Sequence, residues 1–133
     1  MSWLLKKFSG FNQKIAIIHK GTSYTYEQLF ENIDNIKRKI IDGKIKPGEV
    51  ISILDDYSFN SISLLFALFQ NKNIIVPVTT KVSNELNERI QESFSNKSIL
   101  INGDKYEINS HERENTHHML TTLRDKNAAG LIL

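Results

Sequence analysis

The sequence predicts an α/β protein: a mainly parallel, doubly wound sheet with helices on both faces and a β-hairpin at its N-terminal end. Three observations lead there. Short apolar runs, Val50–Leu54, Ile74–Val78 and Ser98–Ile101, alternate with longer stretches whose apolar residues recur every three or four positions. The connections between the runs have helical length, as right-handed βαβ crossovers require. The closing Gly130–Leu133 is a small-residue lead followed by consecutive apolar residues, the pattern of a parallel strand covered on both faces.

Each element has its own signal. Met1–Phe8 contains Trp3, Leu4, Leu5, Lys6 and Lys7, an apolar run far shorter than a signal-peptide core or a membrane span, so a short amphipathic segment packed on the domain is expected. Ile15–His19, a Lys20-Gly21 turn and Thr22–Tyr26 read as the hairpin. Thr25 doubles as a helix N-cap, and Gln28 three residues on completes a capping box. Leu29, Ile33, Ile36 and Ile40 then share one face, with Glu31, Asp34, Lys37 and Lys39 opposite, and Gly43 is expected to end the helix. Lys46-Pro47-Gly48 marks a turn before Val50–Leu54. Ser58 can cap a second helix, Phe59–Gln70, apolar nearly all round and so covered on several sides. Pro77 falls near the end of Ile74–Val78, where its missing N–H is tolerable. Ser83 opens a helix bearing Leu86, Ile90 and Phe94. Asn102–Thr116, the most polar region, is expected to be a mobile loop, and His117–Arg124 makes a modest helix with Met119, Leu120 and Leu123.

The whole chain, 1–133, is thus expected to form a single domain: an N-terminal segment and hairpin (1–26), a βαβ core (27–101), a polar loop (102–116) and a helix with a terminal strand (117–133). With 40% hydrophobic and 24% charged residues it can bury a real core. A formal net charge of +2 gives no footprint for nucleic acid or an anionic membrane surface. Cysteine is absent, which removes disulfides, thiolate catalysis and zinc–cysteine sites, and a cytoplasmic location is expected.

Candidate chemistry is sparse. Asp55-Asp56 at one strand end, Thr79-Thr80 at the next and Lys105 after a third invite comparison with phosphoacceptor receiver domains. The strand that should carry the acceptor ends Val76-Pro77-Val78 with no carboxylate, and hard cations need converging carboxylates. The stronger reading has Asp55 and Asp56 capping a turn and the following helix. His117-His118, with His111 nearby, raises a zinc site, but adjacent helical residues point about 100° apart and cannot chelate as an i, i+4 pair does. Surface or helix-end histidines are the competing reading. No serine sits in a nucleophile elbow and no glycine-rich phosphate loop occurs. Trp3, Tyr24, Tyr26 and Tyr106 read as packing rather than a base-stacking platform. No residue is assigned as catalytic, cofactor-binding or metal-ligating.

The ordered features form a pattern. "TSYTYEQLFENIDNIKRKI" followed by "IKPGEVISILDDYSFNSISLLFALFQNKNIIVPV" resembles the N-terminal subdomain of the adenylate-forming (AMP-binding) superfamily: acyl-CoA synthetases, aryl ligases, luciferase and the adenylation domains of peptide synthetases. The likeness rests on Tyr24–Tyr26, Leu29–Ile40, Pro47-Gly48, Val50–Leu54, Phe59–Gln70 and Ile74–Val78, in that order. It implies the N-terminal portion of a larger adenylating fold, ending at Gly130–Leu133 just before the family's phosphate-binding loop. The parent would be a ligase that uses ATP and Mg²⁺ to make an acyl-adenylate and passes the acyl group to coenzyme A or a carrier protein. This chain, holding none of the family's signature sites and no cofactor of its own, is expected to be inactive alone. Its expected partner is the remainder of the enzyme, with no nucleic acid or membrane and room for a dimer through an exposed apolar face. Asn71 and Asn73 stand where the family often has an alanine-glycine step, and Val78-Thr79-Thr80 where it has a small acidic or Asn-containing turn. The alternative is a non-catalytic α/β binding or interaction module, with a receiver-like nucleotide module a distant third. A module predicts a terminal strand paired in its own sheet, and a fragment predicts an exposed apolar face.

Overall fold

A computed structural model describes residues 2–112 and 117–133. Its elements run α1 (Ser2–Phe8), β1 (Ile15–His19), β2 (Thr22–Thr25), α2 (Tyr26–Asp42), β3 (Val50–Leu54), α3 (Phe59–Gln70), β4 (Ile74–Val78), α4 (Leu86–Glu92), β5 (Lys97–Asn102), β6 (Lys105–Ser110), α5 (His118–Asp125) and β7 (Gly130–Leu131). One sheet has the order β6-β5-β3-β4-β7, and β1 and β2 form a separate hairpin. Within the large sheet β5, β3, β4 and β7 are parallel, and β6 is antiparallel at one edge.

Local chemistry sets these elements. Thr25 Oγ1 accepts from the Gln28 N–H at 3.3 Å and the Thr25 N–H donates to Gln28 Oε1 at 2.8 Å, the capping box that starts α2. Ser58 Oγ accepts from the Ser61 N–H at 3.1 Å and starts α3. The buried stripe Leu29, Ile33, Ile36 and Ile40 of α2 packs with Leu64, Ala67 and Leu68 of α3 against Ile51, Ile53, Ile75, Ile99 and Ile101. The opposite face, Val50, Leu54, Ile74, Val76 and Val78, meets Ile90 of α4 and Leu120 of α5. Alternate residues of β3 and β4 feed the two cores, which is why both strands are apolar at successive positions. Leu5 packs on the first core, and the Phe8 ring lies 5.0 Å from that of Tyr26, so α1 does pack on the domain.

Four readings change. Gly43 has φ −76°, and the left-handed residue at the end of α2 is Lys44, φ +54°. What Gly43 supplies is room, since Ile108 Cδ1 would stand 2.5 Å from a Cβ placed there. Ser83 falls inside a 3-10 stretch, Thr80–Glu85, and α4 begins only at Leu86, although Ile90 is buried and Leu86 and Phe94 pack beside it as the spacing required. The polar stretch Asn102–Thr116 is largely strand: β5 turns at Gly103-Asp104 into β6, where Tyr106 and Ile108 point inward and Lys105, Glu107 and Asn109 outward. A half-buried edge strand needs only every second residue apolar, so its composition looks like a loop. Residues 113–116 of that stretch lie outside the described residues.

The fourth is the terminal strand. β7 pairs with β4 at Ile74↔Gly130 and Ile75↔Leu131, and the Ile132 N–H donates to the Ile75 carbonyl at 2.8 Å. It is not buried on both faces, because Leu131 is 45% exposed. The Asn73 and Ile75 carbonyls face β7, so the alternate residue Pro77 faces it too and has no N–H to extend the ladder.

Candidate functional site

A cleft of about 720 Å³ opens beyond the C-terminal ends of β3 and β5, where parallel sheets place their ligands. Its walls come from the β1–β2 turn (His19, Lys20), α2 (Asn32), the loop after β3 (Asp55, Asp56), the start of α3 (Asn60) and the β5–β6 turn (Gly103, Asp104). Tyr24 stacks flat on Phe59 at 3.9 Å between ring centroids and fixes the hairpin against α3. A smaller groove of about 290 Å³ between α2 and α3, lined by Ile40, Ile41 and Ala67, is on the outer helical face.

The two aspartates diverge. Asp55 accepts from the Ser58 N–H at 3.3 Å and from the Ser58 hydroxyl, so it belongs to the start of α3. Asp56 accepts from the Thr80 N–H at 3.0 Å, the Thr80 hydroxyl at 2.9 Å and the Thr79 hydroxyl, so it caps the 3-10 stretch after β4. Tyr57, which follows both, is exposed and left-handed at φ +60°. Both carboxylates act as caps, and Lys105 lines a different hollow with Lys39 and Glu107. Phosphoacceptor chemistry therefore has no assembled site here.

The histidines are similarly engaged. His117 Nδ1 accepts from the Met119 N–H at 3.2 Å and caps α5, its ring 4.2 Å from that of His118. His111 Nε2 is 2.8 Å from Ser98 Oγ. Among the described residues no three His, Cys, Asp or Glu side chains converge as a metal site.

Sequence reasoning missed the amide cluster on the cleft's far wall. Asn32 Nδ2 donates to Asn60 Oδ1 at 2.9 Å and to Ser63 Oγ at 3.0 Å, and Asn60 Nδ2 donates to the Gly103 carbonyl at 2.7 Å and to Asp104 Oδ1 at 3.4 Å. Beside it Tyr106 buries its Oη, which among the described residues meets no hydrogen-bond partner. Burial pushes its phenol well above the ordinary tyrosine value; the Asn32 amide opposes this, and Asp104 and Asp55 add to it. These residues come from three separated elements, and no spacing in the sequence joins them.

No family model matches the chain. Malpibaldin synthetase of Mortierella alpina is 25% identical over 92 residues, covering 69% of this chain and 2% of that protein. Surfactin synthase subunit 2 of Bacillus subtilis is 24% identical over 97 residues, covering 73% of this chain and 3% of that one. The chain thus spans a very small part of these two curated relatives. A histone of Dictyostelium discoideum is 37% identical over 90 residues, covering 65% of this chain and 66% of that one. A net charge of +2 provides none of the basic surplus by which histones wrap DNA, and the parallel sheet places the chain elsewhere.

Solved structures decide the fold. The N-terminal subdomain of NpsA from Klebsiella oxytoca aligns with a TM-score of 0.67 at 15% identity, over 80% of this chain and 34% of that one. NpsA in an artificially fused adenylation-PCP di-domain aligns at 0.68 and 18%, over 75% of this chain and 19% of that one. O-succinylbenzoate coenzyme A synthetase (MenE) from Bacillus subtilis, in complex with ATP and magnesium ion, aligns at 0.67 and 18%, over 77% and 28%. The fold is that of the N-terminal subdomain of adenylating enzymes, as the resemblance implied.

Proposed function

We propose that this chain is the N-terminal part of an ATP-dependent acid ligase, one that activates a carboxylate as an acyl-adenylate and transfers the acyl group to the thiol of coenzyme A or a carrier protein. The observation that carries this reading is the shared fold, at a TM-score of 0.67 over 80% of the chain, with the N-terminal subdomain of NpsA, a protein also seen in an artificially fused adenylation-PCP di-domain. The order of hairpin, capped helix, Pro-Gly turn and buried helix in the sequence supports it independently.

The chain's own share is scaffold and one wall of the cleft. Its residues do not fit the nucleotide or the metal: Asp55 and Asp56 are taken up accepting from Ser58, Thr79 and Thr80, and the sequence holds no glycine-rich phosphate loop. ATP and Mg²⁺ therefore belong to the remainder of the enzyme in this reading, and no step of the reaction is assigned to residues 1–133. The same reading takes these residues as a single structural unit and the parent as cytoplasmic.

Pyrophosphate exchange tests the chain's part directly. The purified chain, given ATP, Mg²⁺ and a panel of carboxylic acids, should catalyse no exchange, and robust exchange would overturn the scaffold assignment. Intact mass of the protein from its native source tests the parent. A species well above 15.3 kDa supports the ligase, whereas one at that mass makes the fold ancestral and points to the interaction module.

A further inference from the structure

We propose that Asn102-Gly103, at the tip of the β5–β6 hairpin, is a site of spontaneous modification, at which the Asn102 side-chain amide is lost as ammonia and an aspartyl or isoaspartyl residue replaces it. Of the chain's asparagines only Asn102 precedes glycine. Asn102 pairs with Lys105 across a two-residue turn, and Gly103 takes φ +60° while Asp104 does not enter the left-handed region. That is a turn with glycine at its first central position, closed by the Lys105 N–H on the Asn102 carbonyl. The closing bond leaves the Gly103 N–H out of the ladder and draws electron density from the very peptide group whose nitrogen must ionise. Asn102 is exposed, and beyond Gly103 and its two chain neighbours no atom of the described residues lies within 4 Å of where a Cβ on Gly103 would stand, so no other part of the fold crowds the turn.

The chemistry balances without any reagent but water. The Gly103 amide nitrogen gives up its proton and attacks Asn102 Cγ; the N–Cγ bond forms, the Cγ–Nδ2 bond breaks, and ammonia leaves with the proton. Water then opens the five-membered succinimide. Cleavage of the bond to Cγ gives aspartate with the original backbone. Cleavage of the bond to the Asn102 main-chain carbonyl gives isoaspartate, with the backbone rerouted through Cγ. No oxidation or reduction occurs.

Two other asparagines are held away from this path. Asn73 is fully buried, its Nδ2 on the Lys46 and Glu49 carbonyls and its Oδ1 accepting from Asn71. Asn60 sits in α3 with its Nδ2 on the Gly103 carbonyl. That last bond also makes the modification consequential. An isoaspartyl residue lengthens the turn backbone, displaces the Gly103 carbonyl from Asn60, and adds a carboxylate beside Asp104 at the rim of the cleft.

The full chain is incubated in warm, mildly alkaline buffer, digested with trypsin and followed by mass spectrometry at the peptide Ser98–Lys105, with the same synthetic peptide incubated free as a clock. The expected result is an amide-to-acid mass gain in Ser98–Lys105, resolved into two isomers by chromatography, while peptides carrying the other asparagines keep their mass. Gly103→Ala should slow the conversion about tenfold, because a Cβ crowds the attacking nitrogen. Asn102→Gln, which keeps the turn glycine and would have to close a six-membered ring, should also hold its mass. Retention of the Asn102 amide over an interval in which the free peptide has fully converted overturns the proposal. So does conversion in Gly103→Ala at the parent's rate, or conversion spread evenly over all asparagines.

Discussion

Tyr106 has a ring in the core and a buried hydroxyl that meets no well-formed hydrogen bond among the described residues. Reading it as packing was right for the ring, and Lys39 Nζ sits 5.4 Å above that ring's centroid. The state of the hydroxyl was not legible, because its surroundings come from α2 and from the loop after β3. Its pH consequence has a definite sign. The folded state raises the phenol above the unfolded value of about 10, so the fold favours the protonated form. Below that pH both states hold the proton and stability is flat; above it the unfolded chain ionises first, and stability falls as pH rises. Urea unfolding at a series of alkaline pH values should show this decline, and Tyr106→Phe should make it shallower. At neutral pH the Phe variant should be no less stable than the parent, since it removes a desolvated, unpaired group. An unchanged alkaline slope in the variant would remove Tyr106 as its source.

At the scale of elements, α2, α3, α4 and α5 end alike, each followed by a left-handed residue that is not glycine: Lys44, Lys72, Phe94 and Asn127. In α3 the Lys72 N–H donates to the Phe69 carbonyl at 3.2 Å and the Asn73 N–H to the Leu68 carbonyl at 3.0 Å, the paired bonds that close a helix C-terminus. A side chain in that conformation costs about 1–2 kcal/mol, and glycine's extra freedom in the unfolded chain gives back about 0.5–1 kcal/mol of that gain. Lys72→Gly, at an exposed position, should therefore stabilise the protein by about 0.5–1 kcal/mol, read as a higher urea midpoint at unchanged slope. Phe94→Gly should go the other way, because its ring is part of the core beneath α4. An unchanged or lower midpoint for Lys72→Gly would mean that the turn relaxes without left-handed strain. The starts of these helices were legible where a side chain makes the cap, as at Thr25 and Ser58. The ends of α2 and α3 were legible in position, at Gly43 and Gln70, but their left-handed closure was not, since the closing bonds are between backbone groups and leave no mark in side-chain identity. Asn71 and Asn73, read only as departures from a family pattern, are explained by place: Asn73 ties the start of β4 to the Lys46 and Glu49 carbonyls below β3.

For the whole molecule, the alternation of apolar runs and amphipathic stretches pointed to a mainly parallel sheet with a core on each face, because each strand must satisfy both faces at once, while the order β5-β3-β4 came only with the structure. The cleft was not legible, since its amides and carboxylates meet only after the crossovers bring strand ends together. The sheet's two edges also differ in a way that sequence alone hid. β6 carries Lys105 and Glu107 outward on one edge, the charged decoration that discourages edge-to-edge pairing. β7 carries Leu131, exposed and apolar, with Leu133 exposed just after it, and among the described residues β7 pairs on one side only, with β4. The 133-residue chain in isolation should therefore self-associate through the β7 edge as its concentration rises. Sedimentation velocity would read this as a concentration-dependent shift to larger species. Leu131→Lys should return the chain to a monomer with an unchanged far-ultraviolet circular dichroism spectrum, because a charge there blocks strand addition without touching either core. Glu107→Lys on the opposite edge, which changes the charge pattern but leaves β7 intact, should leave association in place. A parent chain that stays monomeric throughout would mean that Leu131 and Leu133 are tolerated as isolated surface residues, and that the β7 edge needs no cover.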